Sequence, residues 1–337
     1  MINIGVIGVG RIGKVHIESI TNYIREAKIK AVADPVLSDE QIKFAKDRGI
    51  EECCKDYRKI LEDKDIDAVL VCSSTDTHAP ISIEAIKAGK HVFCEKPVDH
   101  DLENIKKVMQ TLKTGNVKFQ VGFNRRFDHN FAAVKQGIDD GKIGNLHVVK
   151  ITSRDPEPPN PAYVKVSGGM LMDMTIHDFD MVRFLTGKEV EQIYVNSAVL
   201  VDKAIGEQGD IDTALITMKM SDGSLALIDN SRKAVYGYDQ RAEVFGSGGM
   251  LSTSNDTEST ACLSNAHGIS TEKPLYFFLE RYMQSFTKEI KEFVDAVIND
   301  KDTPVGILDG LNSVVLAKAG NISIRENRPV KISEIKF

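Results

Sequence analysis

The strand-like run Ile2-Asn3-Ile4-Gly5-Val6-Ile7 passes directly into Gly8-Val9-Gly10-Arg11-Ile12-Gly13, and an amphipathic stretch over residues 11–25 follows. Three glycines at this spacing between a strand and a helix leave few folds open. The first permits a tight turn, the second lets a ligand approach the main chain, and the third lets the helix pack closely on the strand. The helix start then offers unsatisfied N–H groups and a partial positive charge, a ready cradle for phosphates. A glycine turn alone is common and often ligand-free. Here the next apolar run, 29–33, ends on Asp34, 21 residues beyond Gly13, where a carboxylate can accept hydrogen bonds from an adenosine ribose. Strand, glycine turn, helix, strand and terminal acid together predict a dinucleotide site. A carboxylate at Asp34 repels a 2′-phosphate, so NAD is expected over NADP, with Arg11 offsetting part of that repulsion.

The rest of the first half keeps this rhythm. Short Val- and Ile-rich runs at 3–7, 29–33, 68–72, 91–94 and 118–121 alternate with helical patterns at 11–25, 39–48, 57–62, 81–88 and 102–112. Alternation of this kind predicts a doubly wound parallel sheet of the Rossmann type over residues 1–123. From residue 124 the rhythm changes to an α+β pattern running to 337. A helix at 129–140 and a strand at 146–153 lead through a Pro-rich loop to a helix at 168–185. Strand-like runs at 190–201, 212–220, 224–230 and 242–245 follow without helices between them, and Asp222-Gly223 marks a hairpin turn. A large, mostly antiparallel sheet is expected, with closing helices at 276–299 and 308–325. Which face of the 212–220 strand is buried stays open, since Leu215, Thr217, Lys219 and Ile216, Met218, Met220 both carry apolar residues.

Composition excludes several classes of function. Forty-three Lys and Arg against 49 Asp and Glu give a net charge of -6, and Trp is absent, so neither a nucleic acid nor an anionic membrane is the expected partner. No apolar stretch approaches the length of a membrane span, and the N-terminus lacks a signal-peptide pattern. Five cysteines without C-x-x-C spacing and eight histidines without H-x-x-x-H spacing predict no disulfide framework and no metal site. A cytoplasmic, reduced location is the expectation.

Two further stretches carry chemistry. Glu95-Lys96-Pro97 follows the 91–94 strand, placing Lys96 at a strand's carboxyl end, where ligands bind in open α/β sheets. The proline restricts Lys96 to extended geometry. In Gly168-Gly169-Met170-Leu171-Met172-Asp173-Met174-Thr175-Ile176-His177-Asp178-Phe179-Asp180, a single helix would set Asp173 and His177 on one face, a carboxylate beside a candidate general base. A solvated lysine and a surface i,i+4 pair are the plain alternatives. Asp178 and Asp180 read as ordinary polar positions.

Taken with Val92-Phe93-Cys94-Glu95-Lys96-Pro97, Gly122-Phe123-Asn124-Arg125-Arg126-Phe127-Asp128 and Val235-Tyr236-Gly237-Tyr238-Asp239-Gln240-Arg241, these motifs resemble the Gfo/Idh/MocA oxidoreductases over nearly the whole chain, inositol 2-dehydrogenases most of all. The resemblance implies Lys96, Asp173 and His177 as the catalytic group. It implies NAD held by Gly8, Gly10, Arg11, Ile12, Gly13, Asp34, Ser73, Thr75, His78, Glu95 and Lys96, and a polyol pocket of Lys96, Asn124, Arg125, Asp155, Asp173, His177 and Tyr236. The implied reaction oxidises the axial hydroxyl of myo-inositol to 2-keto-myo-inositol, in a homotetramer. A dehydrogenase of scyllo-inositol, another polyol or an aldose is the alternative, and a non-catalytic NAD-binding redox sensor a more distant one.

Overall fold

The computed structural model describes residues 1–336, which divide into two units. The first comprises Met1–Phe127 and Gln284–Asn312, the second Asp128–Met283 and Ser313–Lys336.

In chain order the first unit runs β1 (Ile2–Ile7), α1 (Arg11–Tyr23), β2 (Ala27–Ala33), α2 (Asp39–Lys46), β3 (Glu52–Cys54), α3 (Arg58–Glu62), β4 (Ala68–Val71), α4 (Thr75–Lys87), β5 (His91–Glu95), α5 (Leu102–Leu112) and β6 (Phe119–Gly122). The strands pair in parallel in the order β3-β2-β1-β4-β5-β6, the doubly wound arrangement the alternation predicts. The order reverses between β2 and β4 on either side of β1, so the first glycine turn opens at the topological switch point, where such sheets bind ligands. The three-residue edge strand β3 lies outside the expected strands, because Glu52-Cys53-Cys54 carries no Val- or Ile-rich run.

The expected uninterrupted segment 124–337 is broken. Residues 284–312 belong with the first unit because α12 (Met283–Ile298) inserts Ile290, Phe293 and Val294 into the cluster of Val6, Ile17, Ile20, Leu70 and Phe93. Helical periodicity shows that this helix has an apolar face without showing what that face packs against.

The second unit contains α6 (His129–Asp139), β7 (Leu146–Arg154), α7 (Pro161–Ser167), α8 (Met170–Asp173), α9 (Ile176–Thr186), β8 (Val190–Ala198), α10 (Lys203–Glu207), β9 (Thr213–Met220), β10 (Leu225–Ser231), β11 (Asp239–Gly246) and β12 (Gly249–Ser252). An exposed hairpin, β13 (Cys262–Asn265) and β14 (Gly268–Thr271), precedes α11 (Phe278–Arg281), and β15 (Val330–Lys331) follows α13 (Ile307–Glu326). Its sheet has the order β12-β11-β7-β10-β9-β8-β15, antiparallel throughout except for β7 with β10.

The structure resolves the ambiguity in β9: Ile216, Met218 and Met220 are buried, and Leu215, Thr217 and Lys219 face outward. On that outward face Met250, Phe245, Val148 and Leu225 lie directly across from one another on β12, β11, β7 and β10. All four are exposed, forming an apolar row across the outward sheet face, on which Leu215 of β9 is exposed as well.

Candidate active site

In the first unit the glycine turn leaves no room for side chains. Gly8 has φ +99°, and a Cβ there would meet the main chain of Cys72 at 2.5 Å; a Cβ on Gly13 would meet the Gly8 carbonyl oxygen at 2.0 Å. Gly10 ends the turn facing open space, and as N-cap of α1 it receives no side-chain cap. Arg11 and Ile12 open the helix, and its first turn holds no acidic residue. Uncapped N–H groups facing open space suit a pyrophosphate. Asp34, buried at the end of β2, braces this turn: Oδ2 accepts from Val9 N at 2.9 Å and Oδ1 from Val36 N at 3.0 Å.

The loop after β4 carries Ser73 and leads into α4, whose first residue is Thr75. Ser73 and Thr77 share a hydroxyl hydrogen bond of 2.6 Å. His78 is buried, its ring spanning the carbonyls of Ser73 (3.0 Å from Nε2) and Pro97 (2.8 Å from Nδ1). It ties the loop after β4 to the loop after β5, where Lys96 sits half-buried before Pro97. Glu95 ends β5 with Oε1 2.6 Å from His16 Nε2 and Oε2 accepting from Lys96 N at 3.3 Å. Asn124 and Arg125 occupy the 3₁₀ turn Asn124–Phe127 and are both buried; Asn124 Nδ2 donates to Ser285 Oγ at 3.3 Å.

In the second unit the single helix expected over 168–185 is interrupted. Asp173 closes α8 and His177 lies in the first turn of α9. Between them Thr175 N reaches back to the Met170 carbonyl at 3.0 Å, and Thr175 Oγ1 donates to Asn230 Oδ1 of β10 at 2.6 Å. Met174 and Thr175 keep right-handed helical dihedrals, so the Thr175 N–H skips one carbonyl and the turn between Asp173 and His177 is widened by one residue. Asp178 and Asp180, expected as ordinary polar positions, are both buried, and Asp178 Oδ2 accepts from Asn230 Nδ2 at 2.9 Å.

Asp155 and Asp173 are brought together by Arg232, which motif spacing does not single out. Its Nη1 donates to Asp155 Oδ2 at 3.2 Å and its Nη2 to Asp173 Oδ2 at 3.1 Å, while Tyr163 Oη donates to Asp173 Oδ1 at 2.9 Å. Burial disfavours the Arg232 charge, but Asp173 and Asp155 outweigh it and raise its pKa above the usual arginine value. Tyr236 belongs to a neighbouring network: it donates to Asp239 Oδ2 at 2.6 Å and accepts from Arg154 Nη1 at 3.1 Å. Burial and the bond to Asp239 push the phenol pKa up, so the hydroxyl keeps its proton. Asp239 is held below the ordinary carboxylate range, against its own burial, by Arg241, Tyr236 and Asn255.

Residues 2–123 match the family model for the oxidoreductase family with NAD-binding Rossmann fold, and residues 131–252 match the GFO/IDH/MocA C-terminal domain. The chain belongs to the Gfo/Idh/MocA oxidoreductase family. It is an NAD-dependent oxidoreductase, and the chemistry of the glycine turn, the uncapped start of α1 and Asp34 suits a dinucleotide. The myo-inositol 2-dehydrogenase of Thermotoga maritima is 45% identical over 333 residues, 98% of this chain and 99% of that protein. The inositol 2-dehydrogenase of Rhizobium meliloti is 41% identical over 98% of this chain and 99% of that protein. Among solved structures, a probable dehydrogenase from Thermotoga maritima superposes with a TM-score of 0.97 at 45% identity, covering 99% of this chain and 100% of that one. The myo-inositol dehydrogenase of Lactobacillus casei in complex with NAD(H) and myo-inositol gives 0.87 at 28% identity, over 100% and 97% of the two chains.

Arg232→Lys keeps a cation but loses the two-pronged reach to Asp155 and Asp173. It is expected to lower turnover about tenfold to a hundredfold while leaving the Kd for NAD, measured by fluorescence titration, within about threefold. Unchanged turnover would contradict a role for this clamp.

Proposed function

We propose that this oxidoreductase oxidises the axial hydroxyl of myo-inositol to 2-keto-myo-inositol, with Lys96, Asp173 and His177 as its catalytic group. The likeness along the full chain to a myo-inositol 2-dehydrogenase, with the three motif residues in place, carries this reading. NAD supplies the hydride acceptor. His177 takes the alcohol proton as general base. Lys96 donates a hydrogen bond to the reacting oxygen and offsets the negative charge it develops. Asp173, fixed by Arg232 and Tyr163, orients these groups.

A polyol offers hydroxyls and almost no apolar surface. Discrimination therefore rests on polar side chains that a wrong stereoisomer leaves unpaired. Asn124, Arg125, Asp155 and Tyr236 have that chemistry. Ser73, Thr75, His78 and Glu95 are assigned to the cofactor side of the reading. The scyllo-inositol 2-dehydrogenase of Bacillus subtilis is a more distant relative, at 33% identity. Scyllo-inositol is accordingly the competing substrate.

No helix among the described residues is long and apolar enough to cross a membrane. We propose that the enzyme is a cytoplasmic homotetramer, as the family resemblance implies. The row Met250, Phe245, Val148 and Leu225 supports association, because an exposed apolar strip across four strands is costly to leave in water.

A panel of inositols and sugars, followed by NADH absorbance, should give the highest kcat/KM for myo-inositol; preference for scyllo-inositol or an aldose would replace the substrate assignment. His177→Ala should lower kcat by roughly 10²–10⁴-fold with NAD binding retained, and near-normal turnover would remove His177 from the mechanism. Phe245→Glu should convert the tetramer to smaller species in sedimentation velocity; an unaltered distribution would place the subunit contact elsewhere.

A further inference from the structure

Behind the Glu95–Lys96 corner lies a group of side chains of which the proposed function uses only Glu95, on the cofactor side. His16 on α1, Glu95 at the end of β5 and Glu289 on α12 each direct one polar atom into a space where the three atoms lie within 4.8 Å of one another. Glu289 is fully buried, and neither of its carboxylate oxygens has a hydrogen-bond partner in the protein. Its main-chain carbonyl, by contrast, is anchored by Gln120 Nε2 at 2.9 Å.

We propose that His16, Glu95 and Glu289 form a buried proton-binding site in which Glu289 carries the proton as a neutral acid and Glu95 keeps the negative charge, making Glu289 a positioning residue for Lys96. Two carboxylates so close together in the core cannot both stay ionised without a compensating charge. His16 does not supply it. Its Nε2 is bonded to Glu95 at 2.6 Å, but its buried Nδ1 has no acceptor, and an imidazolium would need one for each N–H. The ring is also enclosed edge-on by Phe93 and Phe286, at centroid distances of 5.2 and 5.8 Å. His16 therefore donates through Nε2 to an ionised Glu95, whose other oxygen accepts from the Lys96 N–H. The thiols of Cys72 and Cys94, also close to Glu95, are pushed up by burial and remain uncharged, Cys94 to about 12. The remaining proton falls to Glu289, whose pKa burial and the Glu95 charge raise well above the carboxylate range.

A divalent cation would balance the same charges, but the geometry disfavours it. Two ligand atoms at zinc-bond lengths of about 2.0–2.1 Å from one ion stand more than about 3 Å apart in tetrahedral coordination, and His16 Nε2 and Glu95 Oε1 are already in contact at 2.6 Å.

The linkage has a definite sign. Glu289 is protonated when folded and ionised when unfolded above the ordinary carboxyl range, so the unfolded state binds fewer protons and stability falls as pH rises toward the folded pKa. Relative to Glu289→Gln, which keeps the neutral shape, the wild-type folding equilibrium should lose about tenfold per pH unit in that window. The wild-type infrared spectrum at pH 7 should show a protonated-carboxyl C=O band that Glu289→Gln removes. The positioning role rests on the reading of Lys96 as catalytic: Glu289→Ala should lower kcat about tenfold to a hundredfold, with Gln restoring much of it. Absence of the band in the wild type overturns the proposal, a measurement that needs no variant to fold. So does its persistence in Glu289→Gln, parallel stability–pH curves, or one equivalent of divalent metal in the purified enzyme. Full activity in Lys96→Ala would instead refute the role of Lys96 while leaving the band and the stability slope as predicted.

Discussion

The first unit depends on a contact that admits no side chain. Gly13 lies so close to the Gly8 carbonyl that a methyl group would overlap it, and a methyl on Gly8 would likewise overlap the main chain after β4. Only with both contacts made can α1 begin at the switch point of the parallel sheet with its amide groups uncapped. Asp34 then braces the turn from β2 through Val9 N, so one carboxylate both shapes the phosphate cradle and presents charge beside it. Backbone geometry therefore precedes side-chain chemistry at the cofactor-binding edge.

The second unit works differently, through charges that fix one another. Arg232 joins Asp155 to Asp173, and Arg154 joins Asp229 to Tyr236, which in turn meets Asp239. Buried ion pairs of this kind add little net stability, because desolvation offsets the attraction. They hold several polar groups in a single arrangement, as the proposed polyol pocket requires. A hydroxyl-rich substrate needs such an arrangement, since a mispaired hydroxyl is rejected only by groups unable to swing round and meet it.

Features encoded by neighbouring residues were legible in the sequence. The glycine turn, the alternation of 1–123, the Asp222-Gly223 hairpin and the E-K-P corner each depend on a few consecutive positions. Features fixed by distant partners were not. Within 168–185 the Thr175 N–H skips back to the Met170 carbonyl, and its hydroxyl bonds Asn230 on another element. The membership of α12 in the first unit is decided by what Ile290 and Phe293 meet, not by their spacing. Arg232 looks like half of a routine Arg-Lys pair until Asp155 and Asp173 converge on it, and Glu289 like any helical glutamate until its surroundings prove to be core.

In the proposed reaction the hydrogen on the carbon bearing the axial hydroxyl of myo-inositol passes to NAD. Myo-inositol carrying deuterium at that carbon tests this directly in a single turnover followed by mass spectrometry of the nucleotide. One deuterium in the reduced nicotinamide and a ketone at the labelled carbon are the expected result. Unlabelled NADH, or deuterium retained in the oxidised product, would contradict it.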